Sequence, residues 1–362
     1  MKILDLKLIN FRNYENLNFE VKSNLNLFFG KNAAGKTNFL DSIYTLLNGK
    51  SFRNTKDTDN IMIDKNKSEL FAKIENFSYE DNLEIQINRF DKNIYKINSE
   101  EKTLRNYKKD LSCVIFSPAD INLVKQYPNY RRRYIDDLIS IIDPVYEYNL
   151  SVYRKIIFQR NKLLKQNLSK DLLEVYNYQL AEYGSKILKK RISTLRKLEK
   201  YCINHFYRIS GGDKFKITYL STIPISKLDL DLSRLFLKKL DDAYEDDISK
   251  KYTTIGIHRD DIDFKINNLS SKLYASQGEI RTIILSLKLA EIDLIKENKK
   301  SEPILLLDDV FSELDKNRSS YLIKSIGDIQ TFISSTDYDL ESSNLLDGDF
   351  YEVKENRIIS ID

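Results

Sequence analysis

The sequence predicts an α/β fold: a head built on a mixed sheet with an antiparallel β subdomain, interrupted by an inserted α-helical hairpin. Three observations carry that expectation. A short apolar run, a glycine-bearing loop and a helical pattern follow one another at residues 25–47, and polar–apolar alternation fills much of 70–97. Residues 144–208 are helical in composition with one glycine, Gly184, before buried apolar runs return at 303–307 and 331–335. The expected boundaries put the head at 1–127 and 252–362 and the helical arm at 128–251.

Taken in order, residues 2 to 29 read as three strands, Lys2 to Ile9, Leu17 to Val21 and Leu25 to Phe29, separated by Phe11-Arg12-Asn13-Tyr14-Glu15 and by Ser23-Asn24. The third strand runs into Gly30-Lys31-Asn32-Ala33-Ala34-Gly35-Lys36-Thr37, which fits G-x-x-x-x-G-K-[ST] at every fixed position. From Asn38 the chain places Leu40, Ile43, Tyr44 and Leu47 at helical spacing. Strand, loop and helix are the context this motif demands, so a plain structural turn is the weaker reading. Glycines let the backbone curl until successive N–H groups and the positive helix start face one centre, where a polyphosphate sits. Lys36 then reaches the β and γ phosphates and the Thr37 hydroxyl holds a Mg²⁺. Arg12, in the first loop, has two readings of equal weight: a nucleotide contact folded back beside the phosphate loop, or a solvated turn.

The helix ends near Gly49 in the basic loop Asn48-Gly49-Lys50-Ser51-Phe52-Arg53. Alternation in Leu83 to Asn88 and Ile94 to Ile97 signals half-exposed antiparallel strands. Ser112 to Phe116 looks like a buried strand, with Ser117-Pro118 as a helix start. Arg131-Arg132-Arg133 stand among tyrosines, where phosphate contact is outweighed by simple solvation. Pro144 to Arg208 divides at Gln166-Asn167-Leu168-Ser169 into two expected helices of about 30 residues each, a short hairpin of roughly 45 Å. Its second half, Lys170 to Arg208, holds nine basic residues against four acidic ones, with Lys186, Lys189, Lys190, Arg191, Arg196, Lys197 and Lys200 crowded together.

Chemistry returns after the acidic stretch at 241–247. Gly256-Ile257-His258-Arg259-Asp260-Asp261 precedes an alternating strand, and Ser276-Gln277-Gly278-Glu279 opens a long amphipathic helix to about Lys296. Ser276 with Glu279 three residues on is a capping box, and a helix start with small residues also presents N–H groups to an anion. Pro303 to Asp309 reads as a doubly buried strand of a parallel sheet with two carboxylates at its C-terminal end. There Asp308 accepts the Mg²⁺ or its water, and Asp309 orients and deprotonates the attacking water. Ser312-Glu313-Leu314-Asp315 caps a helix over Tyr321 to Ile326, Thr331 to Asp337 is another buried strand, and 349–361 finish as edge strands.

Bulk properties fit a globular protein: 362 residues, 41% hydrophobic, 31% charged and a net charge of +4. That charge is too small to argue for nucleic acid by itself, since clustering matters more than the sum. Cys113 and Cys202 are the only cysteines and His205 and His258 the only histidines, so neither a disulfide framework nor a zinc site is expected. No apolar run is long enough to span a bilayer and no secretory leader is recognisable, so a cytoplasmic location without membrane attachment is expected.

The ordered set resembles the ABC-type ATPases of the chromosome-maintenance and recombination class, and within it the bacterial recombination mediators. The resemblance rests on Phe11-Arg12-Asn13-Tyr14, Gly35-Lys36-Thr37-Asn38, Ser51-Phe52-Arg53, Phe116-Ser117-Pro118, Arg131-Arg132, His258-Arg259-Asp260-Asp261, Ala275-Ser276-Gln277-Gly278, Leu306 to Asp315 and Thr336-Asp337. Ala33-Ala34, Ile257 and Glu279-Ile280 depart from the usual pattern. The class implies a homodimer closed by ATP, with Ser276, Gln277 and Gly278 of one copy facing the triphosphate held by Gly30, Lys31, Asn32, Ala33, Ala34, Gly35, Lys36, Thr37 and Asn38 of the other. It further implies binding to duplex DNA beside single-stranded gaps, and recombinase loading with RecO and RecR as partners. Asp309 is one methylene shorter than the glutamate found there in other ABC ATPases, which implies slow ATP hydrolysis, and the class implies that DNA stimulates it. A transporter ATPase subunit and a passive ATP-binding DNA clamp remain alternatives, the first disfavoured by the basic hairpin.

Overall fold

The computed structural model describes residues 1–53, 55–76, 79–166, 170–224, 231–336 and 348–361. In chain order the strands are β1 (Lys2–Phe11), β2 (Tyr14–Glu20), β3 (Leu25–Phe29), β4 (Lys67–Asn76), β5 (Tyr79–Asn88), β6 (Ile94–Ile97), β7 (Glu100–Lys102), β8 (Cys113–Phe116), β9 (Phe215–Leu220), β10 (Asp261–Ile266), β11 (Leu269–Ser270), β12 (Ile304–Asp308), β13 (Thr331–Ser335), β14 (Asp349–Lys354) and β15 (Arg357–Ile361). The helices are α1 (Lys36–Asn48), α2 (Leu104–Tyr107), α3 (Ile121–Lys125), α4 (Pro128–Ile142), α5 (Pro144–Lys165), α6 (Lys170–Ser210), α7 (Leu232–Asp242), α8 (Tyr244–Lys250), α9 (Ser271–Tyr274), α10 (Gln277–Lys299) and α11 (Lys316–Ile326). They form two compact units, residues 1–120 with 288–362, and residues 121–287.

The first unit holds two sheets. One has the order β15-β14-β3-β13-β12-β8, parallel from β14 through β8 with β15 antiparallel at its edge. The other, β2-β1-β4-β5-β6-β7, is antiparallel throughout. Leu6 and Leu8 of β1, Leu70 of β4, Ile85 of β5, Phe28 of β3, Phe332 of β13 and Phe39, Leu40, Ile43 and Leu46 of α1 share one buried core. Within it Phe28, Phe39, Phe19 and Tyr351 pack edge-on, tilted and stacked with ring centroids 4.7 to 5.5 Å apart. Such pairs add to burial and tie β3, α1, β2 and β14 into one block behind the glycine-bearing loop.

Two expectations change in detail. The first loop shrinks to a two-residue turn, Arg12-Asn13, because Phe11 and Tyr14 are both buried and extend the register of β1 and β2 until they face one another. β14 is an interior strand lying parallel beside β3, and only β15 is an edge; Tyr351 and Val353 of β14 are accordingly buried while β15 is mostly exposed. Asp337, the expected polar end of β13, lies outside the described residues, as do Asn167, Leu168 and Ser169 of the expected hairpin turn.

In the second unit α5 and α6 form the expected hairpin, with unequal arms of 22 and 41 residues. At 1.5 Å per residue these are roughly 33 and 61 Å long. Asp143 caps α5, accepting from the N–H groups of Val145 and Tyr146 ahead of Pro144 in the first turn. Gly184 does not interrupt α6; a Cβ there would lie 2.5 Å from Cε2 of Phe236, so the glycine admits α7 at close range. The sheet β11-β10-β9 follows, where β9 went unread in the sequence.

Candidate nucleotide site

The loop between β3 and α1 has the conformation its glycines permit. Gly30 (φ 150°) and Gly35 (φ 113°) occupy backbone regions closed to most L residues, and a Cβ on Gly30 would lie 2.4 Å from the Val353 carbonyl oxygen. Ala33 accepts the left-handed region at φ 65°, at a cost of about 1 kcal/mol. No side chain caps α1: its N-cap is Gly35, and its first turn has no acidic residue. Helices ordinarily satisfy their first N–H groups with Ser, Thr, Asp or Asn. Leaving them to an external anion is what a phosphate site requires. Lys36 is 7% exposed, with its ammonium donating to the carbonyls of Gly30 and of Lys31, the latter at 2.9 Å.

Beside that loop the Thr37 hydroxyl donates to Oδ1 of Asp308 at 2.8 Å, across 271 residues of sequence. Ser334, on the neighbouring strand β13, donates its hydroxyl to the same oxygen at 2.8 Å. Asp308 thus ends β12 as a buried carboxylate oriented by two hydroxyls. Asp309 follows at φ 51°, its N–H donating to both the carbonyl and the hydroxyl oxygen of Ser334 at 3.2 and 3.1 Å. Its Oδ1 is buried and has no hydrogen-bond partner among the described residues. Burial, with Asp308 adding, raises the Asp309 carboxyl above the ordinary range against the lowering pull of Ser312 and Lys36. One hydroxyl and one carboxylate suit Mg²⁺, which takes one or two protein oxygens and completes its shell with phosphate and water. Thr37 and Asp308 fit that ion.

Arg12 is not a solvated turn residue, its side chain being 12% exposed. Its guanidinium pairs with the fully buried Asp41 of α1 at 2.5 Å and donates to the Ser51 hydroxyl at 3.2 Å, which itself donates to Asp41. Asp41 was invisible as a partner because it falls on the polar side of an otherwise apolar helix pattern. Asn38 donates to Asn13 at 2.6 Å and Tyr14 to the Gly35 carbonyl at 3.2 Å, so the β1–β2 turn braces the phosphate loop. In the second unit Ser276 and Glu279 form the expected capping box, with Ser276 N–H and hydroxyl donating to Glu279 at 2.8 and 2.7 Å. Ser276 and Gln277 are exposed and Gly278 half-buried.

The family model described as the RecF/RecN/SMC N terminal domain matches residues 2–345. Proteins named DNA replication and repair protein RecF are similar over nearly the full length: that of Clostridium tetani is 39% identical across 341 residues, 93% of either chain, and that of Bacillus cytotoxicus 38% identical across 94% of this chain and 93% of its own. The chain belongs to the RecF family. A solved structure of the recombination mediator protein RecF with ATP in the RecFOR pathway superposes with TM-score 0.93 at 32% identity, covering 99% of this chain and 97% of that one. The Smc head domain of Pyrococcus furiosus, at 14% identity and TM-score 0.58, shares the fold. The ABC-type head expected from the sequence is therefore the fold of this RecF-family chain.

Not every basic residue prominent in this sequence lies on the surface. Arg131 is 2% exposed and binds Asp261 through two bonds of 2.7 and 2.9 Å. Arg132 donates to the Asp260 carbonyl at 2.7 Å, and burial beside Arg191 lowers its pKa. Arg133 alone of the three is exposed, 3.5 Å from Asp137. Arg191 is also buried, donating to Asp136 at 2.9 and 3.0 Å, to the Ile257 carbonyl at 2.7 Å and to Tyr219 at 3.1 Å. Grouping Arg191 with the surface lysines of α6 is thus corrected. The signal was present: Leu188, Arg191, Leu195, Leu198 and Cys202 recur at helical spacing on the buried face. His258 is held between the Tyr153 hydroxyl and the Thr253 carbonyl, each at 3.0 Å, and burial pushes its pKa down to about 4. Asp260 accepts from Tyr219 at 2.7 Å and from Thr222 N–H and hydroxyl at 2.8 and 2.9 Å. The His258-Arg259-Asp260-Asp261 run is in this respect a packing device.

Proposed function

We propose that this chain is an ATP-gated DNA-binding protein of recombinational repair. Two copies close around ATP, engage duplex DNA near single-stranded gaps and promote recombinase loading with RecO and RecR. The observation that carries the nucleotide part is the 2.8 Å bond from Thr37 to Asp308, which unites a phosphate loop with a strand-end carboxylate far away in sequence. The DNA and partner parts rest on membership of the family and on relatives named for DNA replication and repair and for the RecFOR pathway. In this reading residues 1–127 and 252–362 form the ATPase head and 128–251 the arm, a functional division distinct from the two compact units, which meet at 120/121 and 287/288.

Gly30 to Asn38 wrap the triphosphate, with Lys36 turning from its loop carbonyls to the β and γ phosphates. Thr37 and Asp308 would hold Mg²⁺, which would supply neutralisation of the phosphate charge. Asp309 positions and deprotonates the attacking water; a raised pKa makes it a better base but leaves less of it ionised. Ser276, Gln277 and Gly278 of a second copy complete the site, and Arg12 steadies it through Asp41. Hydrolysis is slow and stimulated by DNA. No helix among the described residues is long and apolar enough to cross a membrane.

Sizing the protein with ADP, ATP and a slowly hydrolysed analogue, with and without duplex DNA, tests the reading. A dimer is expected with ATP and the analogue only, and Ser276→Arg is expected to stay monomeric. Tight pairing of Ser276→Arg in saturating ATP overturns the proposal.

A further inference from the structure

We infer that the solvent face of the C-terminal half of α6, from Lys189 to Tyr207, is the surface that tracks the phosphate backbone of duplex DNA, with Lys189, Arg196 and Lys200 as the contacting cations. The inference rests on the DNA-binding reading above and assigns its surface.

At 100° per residue Lys189, Ser193, Arg196, Lys200, Ile203 and Tyr207 fall within about 40° of one line along the helix. All six are exposed, Tyr207 by 61%. The opposite face, through Leu188, Arg191, Leu195, Leu198, Cys202 and Phe206, is buried. Pairing separates the basic residues of this helix into two groups. Lys186 lies 2.6 Å from Glu182, Lys190 2.7 Å from Asp143, and Arg191 is locked to Asp136. Lys189, Arg196 and Lys200 make no ion pair among the described residues. Between Lys186 and Arg208 the only carboxylate in the sequence is Glu199, and it is turned away to accept the Ile217 N–H at 2.8 Å.

A helix that neutralises its neighbouring cations and leaves these three in one row has its counter-charge elsewhere. From Lys189 to Lys200 the row runs about 16 Å at 1.5 Å per residue. That span equals about five base-pair rises of 3.4 Å along the duplex axis, so the three cations in one row face a comparable length of the near side of a duplex. Ser193 sits between them and Tyr207 closes the row with an exposed ring. Base sequence is not read by such contacts.

The test measures duplex DNA affinity against salt for the full chain with ATP. In Lys189→Gln/Arg196→Gln/Lys200→Gln the log–log salt slope is expected to fall by about 2.7, at roughly 0.9 per lost phosphate contact, and affinity at 0.15 M salt by on the order of 100-fold. A control removing the same charge from the other unit, Lys22→Gln/Lys92→Gln/Lys354→Gln, is expected to keep most of the slope. The charge-keeping variant Lys189→Arg/Arg196→Lys/Lys200→Arg is expected to bind as the wild type does. ATP affinity checks that each variant is folded. If the triple glutamine variant binds duplex with the wild-type slope, this surface is wrong while DNA binding stands. If the wild type itself shows no affinity for duplex, the DNA reading and this surface fall together.

Discussion

Arg191→Ala separates a structural arginine from a DNA-contacting one on the same helix. The substitution strips Asp136 of its two guanidinium bonds at 2.9 and 3.0 Å and leaves the Ile257 carbonyl and Tyr219 hydroxyl without that donor. Removing one partner of a buried pair costs about 3–5 kcal/mol, because the other charge stays behind unpaired. Asp136 keeps the Tyr146 hydroxyl and an exposed Arg154 at 3.7 Å, which softens the loss, while the orphaned carbonyl adds about 1 kcal/mol. The net expectation is about 4 kcal/mol. At roughly 2–4 °C per kcal/mol for a unit of this size, melting should fall by about 8–16 °C. Lys189→Ala, two residues away on the exposed face, should change stability by less than about 0.5 kcal/mol. Thermal unfolding followed by circular dichroism, beside DNA affinity, reads both. Wild-type melting in Arg191→Ala with lost DNA binding would refute the buried-pair account and return Arg191 to the contact surface.

Lys36→Ala should abolish ATP binding by titration calorimetry, since the loop then lacks the cation that meets the β and γ phosphates; affinity within threefold of wild type would remove that role. Asp309→Asn should still bind ATP but hydrolyse it at least tenfold more slowly and prolong the dimer, and equal turnover numbers would dismiss Asp309 as the base. Because burial raises the Asp309 pKa, wild-type hydrolysis should already decline with falling pH above the usual carboxylate range, and a profile flat down to pH 4 would contradict this. Gly30→Ala drives a Cβ to 2.4 Å from the backbone oxygen of Val353, so the loop must shift and ATP affinity should drop by tenfold or more. For His258, with its folded pKa of about 4 below the unfolded value near 6.5, the unfolded chain binds the proton more readily in between. Its contribution to stability is complete above pH 6.5 and is lost as pH falls towards 4. His258→Gln should flatten that part of a stability–pH curve.

The nucleotide half of the site was legible because each part announces itself locally. A strand, a loop with glycines at both ends and a helix are contiguous from Leu25 to Leu47, and a wholly apolar strand ending in two carboxylates can belong only to the middle of a parallel sheet. What stayed hidden were pairings made across the fold. A solvated turn was one of two open readings for Arg12 because its partner Asp41 lies 29 residues on. Arg131 and Arg191 looked like surface charge because runs of basic residues usually are, yet Asp261 and Asp136 draw them inward. β14 looked like an edge because the segment joining it to β13 carries no pattern, and only the core around Phe28 shows why Tyr351 must lie beside it.

Asp308 and Asp309 owe their shared place at the end of β12 to backbone geometry that the local sequence pattern does not announce. On a continuing strand, adjacent carboxylates would point to opposite faces of the sheet, and only one could serve a site at its end. Here the left-handed turn at Asp309 stops the strand, and Ser334 ties the two residues together by donating to Asp308 and accepting from Asp309 N–H. A non-glycine residue at φ 51° carries about 1 kcal/mol of strain, and it is held there by two hydrogen bonds from its amide. Ser334 is therefore a positioning residue that sequence reading registered only as a polar strand end. Ser334→Ala removes a bond to each carboxylate's residue at once, so hydrolysis should fall several-fold while ATP binding, which depends on Lys36 and the loop amides, changes little. Ser334→Thr keeps the hydroxyl and should recover most of the rate; equal losses in both variants would show that packing at this position, rather than the hydroxyl, matters.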